Sequence, residues 1–165
     1  MNRYEELLSE LESKVGNDDL WYCEDSIIEE LSKTYSPEEL SEPLFKLMEK
    51  YPLTEWGMPG AIVHFLESPD NELYSEKLLD SLKRQPTVHT VWMLNRELNA
   101  AAEPQKSTYL SVMKDIAGNN SLLDEIRSSA EEFIDYQNKK AQSAPPASSG
   151  GNSVSLSDIF GKFFS

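Results

Sequence analysis

SPEELSEPLFKLMEKYPLTEWGMPGAIVHFLESP, residues 36–69, reads as one helical hairpin framed by two Ser-Pro steps. The frame recurs along the chain. Pro37, Pro69 and Pro104 follow one another at 32 and 35 residues, while Pro52 and Pro86, in the turns inside the units, lie 34 apart. Ser121, in the Asn120-Ser121 turn, stands a further 35 residues on. Proline suits the first helical position, where its missing N–H has no intrahelical partner anyway. A regular array of helix pairs is the mark of an α-solenoid, which buries its core by stacking unit on unit and presents an extended surface to a partner. The expected fold is therefore all-α, a right-handed HEAT-like stack of about eight helices, and the pattern points to binding rather than chemistry.

The flanking sequence fits that frame. Tyr4, Leu7, Leu8, Leu11 and Val15 repeat at i, i+3, i+4 and i+7, and Gly16-Asn17 supplies a stop. Asp18 is placed to cap the next helix, whose period runs through Leu20, Trp21, Ile27, Ile28 and Leu31. Ser36 and Glu39 have capping-box spacing, but Pro43 removes a hydrogen bond to the carbonyl of Glu39 and predicts a kink or a helix restarting at Leu44. Trp56–Glu67 is apolar nearly all round and predicts a central buried helix. Leu73–Gln85, Val88–Ala101, a helix through Tyr109–Ala117 and one through Leu122–Ile134 complete the series. From Ala141 the chain reads AQSAPPASSGGNSVS, the composition of a flexible linker, so the expected division is a helical domain at 1–138, a linker at 139–154 and a C-terminal motif at 155–165.

Charge is uneven. The 165 residues carry 29 acidic and 15 basic side chains, and residues 1–50 alone hold 14 against 5, a net of −9. Such a field repels nucleic acid and anionic membranes and speeds association with basic proteins. Asp18, Asp19, Glu24, Asp25 and Glu29 are the acidic candidates for partner contact, unless they serve only to solvate a helix surface. One cysteine, Cys23, cannot form an internal disulfide, and the N-terminus has no secretion-signal pattern. The longest apolar run, Ala61–Leu66, is interrupted by His64 and is too short to span a bilayer. A soluble, cytoplasmic, monomeric protein is expected.

Two segments mix polar residues into apolar helices. His64 and Glu67 share one face, and Trp92, Asn95, Arg96 and Asn99 share another, in the second helices of consecutive units. They read either as a buried network, with Arg96 paired to Glu67, or as a recognition floor anchored by Trp56 and Trp92. A hydrolase using His64 and Glu67 is a third option, without a serine or cysteine in a recognisable nucleophile motif. His64 and His89 lack HExxH or CxxC companions, and no phosphate-binding glycine loop occurs, so neither a metal nor a cofactor is expected.

At these segments the chain resembles the small all-helical immunity proteins of bacterial polymorphic-toxin and contact-dependent growth-inhibition systems. The resemblance is carried by Gly57, Pro59, Gly60, Val63-His64-Phe65 and Glu67, then Arg84, Pro86, Thr87, the run His89–Arg96 and Asn99, with Leu44, Met48 and Pro52 before them. It covers residues 36–138 and implies an inhibitor that binds one cognate toxin and blocks its active site; a basic toxin domain such as a nuclease would suit the acidic charge. The stretch after Ala141 departs from that pattern. Its end places Leu156, Ile159, Phe160, Phe163 and Phe164 on one helical face, which could recruit a second protein, making the chain a helical-repeat adaptor, or fold back over the last unit.

Overall fold

Asn2, Ser36 and Thr87 each open a helix in the same way, with a side chain at the cap and a reciprocal bond from the third helical residue. Ser36 Oγ accepts the Glu39 N–H at 3.2 Å while the Glu39 carboxylate accepts the Ser36 N–H at 2.7 Å. Thr87 and Thr90 exchange the equivalent bonds at 2.9 and 3.0 Å. The computed structural model describes residues 2–143, and its elements are α1 (Arg3–Glu12), α2 (Leu20–Ser32), α3 (Pro37–Lys50), α4 (Ala61–Leu66), α5 (Tyr74–Arg84), α6 (Val88–Ala100), α7 (Gln105–Ala117) and α8 (Asp124–Ser143). Among the described residues there is no strand, as the periodicity predicts. Far-UV circular dichroism is accordingly expected to be dominated by helix; a strand content near the globular average of about a fifth would contradict the fold.

Hydrogen bonds between residues distant in sequence tie the helices and their loops together. Trp21 reaches Glu55, Glu72 reaches Glu38, Arg84 reaches Glu49 and Trp56 reaches His89, joining residues 34, 34, 35 and 33 apart. Val88 N–H also donates to Pro52 O at 2.9 Å, tying the two proline turns together. The closest helix pairs are α1 with α2, α2 with α4, α3 with α4 and with α5, α5 with α6, and α6 with α7. Their shared core includes Leu11, Leu31, Leu44, Phe45, Met48, Trp56, Ile62, Leu66, Leu78, Trp92 and Met93.

Several sequence expectations are corrected. Helix α3 does not restart at Leu44 but continues through Pro43: burial of Leu40, Leu44, Phe45, Leu47 and Met48 outweighs the roughly 3 kcal/mol that an interior proline costs. The buried helix expected over Trp56–Glu67 shrinks to the six residues of α4. Gly57 sits at φ +95°, and a side chain on Gly60 would collide with the Trp56 carbonyl and approach Gly57 Cα to 2.9 Å, so residues 56–60 form a tight turn. Of the three framing prolines only Pro37 starts a helix. Pro69 lies in the turn before α5, and Pro104 occupies the cap position of α7. Asp19 rather than Asp18 precedes α2, and it makes no side-chain cap bond.

The chain divides into two units, Met1–Asp135 and Tyr136–Ser165, with the boundary inside α8. Residues 139–143, expected as the start of the linker, are helical. The rest of the linker and the motif at 155–165 lie outside the described residues. No helix among the described residues is long and apolar enough to cross a membrane.

Candidate functional site

Several of the polar residues singled out around α4 and α6 are tied into the partly buried packing between the helices. Arg96 grips Glu67 with two bonds of 2.8 Å, Nε to Oε1 and Nη2 to Oε2, and its guanidinium lies 5.1 Å from the centre of the Trp92 ring. Beside it Ser75 Oγ donates to Glu97 Oε2 at 2.7 Å, while burial raises the Glu97 carboxyl above its ordinary range. Both Glu67 oxygens accept from Arg96, and no hydrogen bond joins Glu67 to His64, which is exposed. Trp56 is 0% and Trp92 2% exposed, and Asn95 is buried. These are core residues, not the aromatic anchors expected of a recognition floor.

A second buried set holds the turn between Trp56 and Ile62. The Trp56 N–H donates to His89 Nδ1 at 3.2 Å, and the Ile62 N–H donates to Glu24 Oε1 at 2.9 Å. His89 must therefore be neutral with its proton on Nε2, consistent with burial lowering it to about 4. Glu24 is 1% exposed, and desolvation pushes its carboxyl up to about 7, opposed by the Ile62 bond and reinforced by the charge of Asp25. Glu24 thus leaves the acidic contact set proposed from sequence. Its position was readable: with Leu20, Ile27, Ile28 and Leu31 it occupies the stripe i, i+4, i+7, i+8, i+11, and Trp21 does not.

The remaining acidic candidates, Asp18, Asp19, Asp25 and Glu29, are all exposed. Some acidic side chains elsewhere are matched. Glu42 meets Lys77 at 3.2 Å and Arg84 at 2.8 Å, and Glu49 meets Arg84 at 2.9 Å, so Lys77 and Arg84 of α5 are spent on α3. Lys14 takes Asp19 at 3.1 Å, and Arg3 takes Glu30 at 2.7 Å. Asp18, Asp25 and Glu29 make no ion pair with the described residues, which leaves uncompensated negative charge just before α2 and along its outer face.

Two residues that the sequence reading passed over lie on that face. Trp21, assigned to the buried stripe, is 57% exposed, and Tyr22 is 80% exposed. The Trp21 Nε1–H donates to Glu55 O at 3.1 Å, which fixes the indole against the loop carrying Leu53, itself exposed.

Other site classes find less support. A cleft of about 220 Å³ lined by Leu8, Pro43, Leu47, Glu12, Lys46 and Lys50 lies between α1 and α3. It is smaller than the roughly 300–1,000 Å³ of ligand pockets. Among the described residues no group of three or more His, Cys, Asp or Glu side chains is arranged to hold a metal ion. No protein-family model, curated protein or solved structure matches the chain.

Proposed function

We propose that the chain is a non-enzymatic immunity-type protein that binds a basic toxin domain, such as a nuclease, and neutralises it by covering its active surface in the cytosol of the producing cell. The observation that carries this reading is the exposed, unpaired acidity at the start and along the outer face of α2, where Asp18, Asp25 and Glu29 have no basic partner among the described residues, in a chain whose first 50 residues carry a net charge of −9. Charge left exposed in this way steers an oppositely charged partner and contributes more to association rate than to final affinity. The resemblance of residues 36–138 to small helical immunity proteins gives the partner its class. The network of Arg96, Glu67, Trp92 and His89 serves as scaffold for the contact surface.

The direct test is to co-express the chain with the C-terminal toxin domain encoded immediately upstream of its gene. Restored growth and a one-to-one complex are the expected results; a toxic domain unaffected by the chain, or no toxin gene there, counts against the reading. Reversing Asp18, Asp25 and Glu29 to lysine should then slow association roughly tenfold at low salt and flatten its salt dependence, with the helical spectrum retained. Unchanged on-rates would reduce this acidity to solvation.

A further inference from the structure

We infer that Trp21 and Tyr22, with exposed Leu53 in the loop that holds Trp21, are the anchor of the partner interface, and that their occupant is an arginine-bearing basic protein surface whose guanidinium groups stack on the two rings next to the carboxylates of Asp18, Asp25 and Glu29. This rests on the reading of the chain as a binder of a basic domain and adds where and how contact is made.

The geometry of α2 carries the argument. Leu20, Glu24, Ile27, Ile28 and Leu31 turn inward. Trp21, Asp25 and Glu29 then fall at i, i+4 and i+8 along the outer side, with Tyr22 one turn before Asp25 and Asp18 in the turn that leads into the helix. Two large exposed aromatics therefore sit on the same helix side as the unpaired carboxylates of Asp25 and Glu29. Exposed aromatic side chains forgo the stabilisation that burial gives a large apolar group, and Trp and Tyr are among the residues most enriched at binding hot spots.

The Trp21 ring is also held before any partner arrives. Its indole N–H is engaged by the Glu55 carbonyl, so the ring face is presented without the cost of ordering a free side chain. A guanidinium suits such a site better than an ammonium. Its flat, weakly hydrated face stacks on an aromatic ring while its edge N–H groups reach neighbouring carboxylates. Asp25, four residues from Trp21 and three from Tyr22, is the carboxylate placed to receive them.

The protein contains its own reporter. Of its three tryptophans only Trp21 faces solvent, Trp56 and Trp92 being buried, so a ligand-induced change in fluorescence reports Trp21. The probes are hexa-arginine amide and hexa-lysine amide, titrated at low salt into the full chain. Expected are a saturable change in Trp21 emission with hexa-arginine and binding several-fold weaker with hexa-lysine. Tyr22→Ala should weaken hexa-arginine about fivefold, and Asp18→Asn with Asp25→Asn and Glu29→Gln about tenfold or more, with melting curves unchanged because all four residues are exposed. Absent saturable binding, or binding that leaves Trp21 emission and the Tyr22→Ala affinity unchanged, overturns the assignment. If hexa-arginine binds at Trp21 but the upstream toxin domain is not neutralised, the surface stands and the immunity reading falls. If the toxin is neutralised equally well by the Trp21→Ala, Tyr22→Ala protein, the immunity reading stands and this surface falls.

Discussion

The stability difference between Glu24→Gln and the wild type is expected to swing by about 3 kcal/mol in favour of the variant between acid and alkaline pH. Glutamine keeps the oxygen that accepts the Ile62 N–H and cannot ionise. In the folded chain the Glu24 carboxyl titrates at about 7, above its ordinary 4.5. Between those values the folded state holds a proton that the unfolded state has released, so stability falls as pH rises through that window, and the full penalty of a buried carboxylate is present above about 7. His89 acts in the opposite direction. Its folded value of about 4 lies below the ordinary 6.5, so below 6.5 the unfolded chain takes up a proton that the folded one refuses, and stability falls as pH drops towards 4. The two contributions oppose each other over most of the same range in the wild-type profile. Subtracting it from the profile of the Glu24→Gln variant, each obtained by urea unfolding across pH, isolates Glu24. A difference that stays flat would mean that water reaches the carboxylate and that the 56–62 turn is not sealed.

Arg96→Ala should lower stability by about 3 kcal/mol, because it leaves the partly buried Glu67 carboxylate without its two-point partner and removes the cation from the Trp92 face. Glu67→Ala should cost a similar amount. The double variant should cost clearly less than the two together, since the second truncation no longer strands a charge. Asp19→Ala provides the comparison: its pair with Lys14 is exposed, and its loss should stay within about 0.5 kcal/mol. Thermal or urea melts of the four proteins decide the matter. An unshifted Arg96→Ala transition would remove Arg96 and Glu67 from the scaffold and return them to the candidate contact surface.

Much of this architecture was legible in local sequence because it depends on local physics. The Ser36–Glu39 box, the proline at the first position of α3 and the 3.6-residue periods of α5 and α6 depend on residues within a turn or two of one another. The pairing of Arg96 with Glu67 was also readable, since two opposite charges on second helices of consecutive units have to meet or be exposed. Even Glu24 could have been found, as the acidic member of an otherwise apolar stripe.

The rest depended on what lies across the core. Sequence determined that helices form, where most begin, and that the N-terminal third is strongly acidic. Tertiary structure decided what meets the buried Glu24 carboxyl, because only the approach of the Ile62 N–H makes it tolerable there. It also decided that the apolar run from Trp56 becomes a turn before α4, since the backbone at Gly57 and Gly60 closes too tightly for a helix. Trp56 and Trp92 went to the core and Trp21 to the surface for the same reason: a large ring is buried only where neighbouring helices leave a space of its shape, and no local pattern records that space.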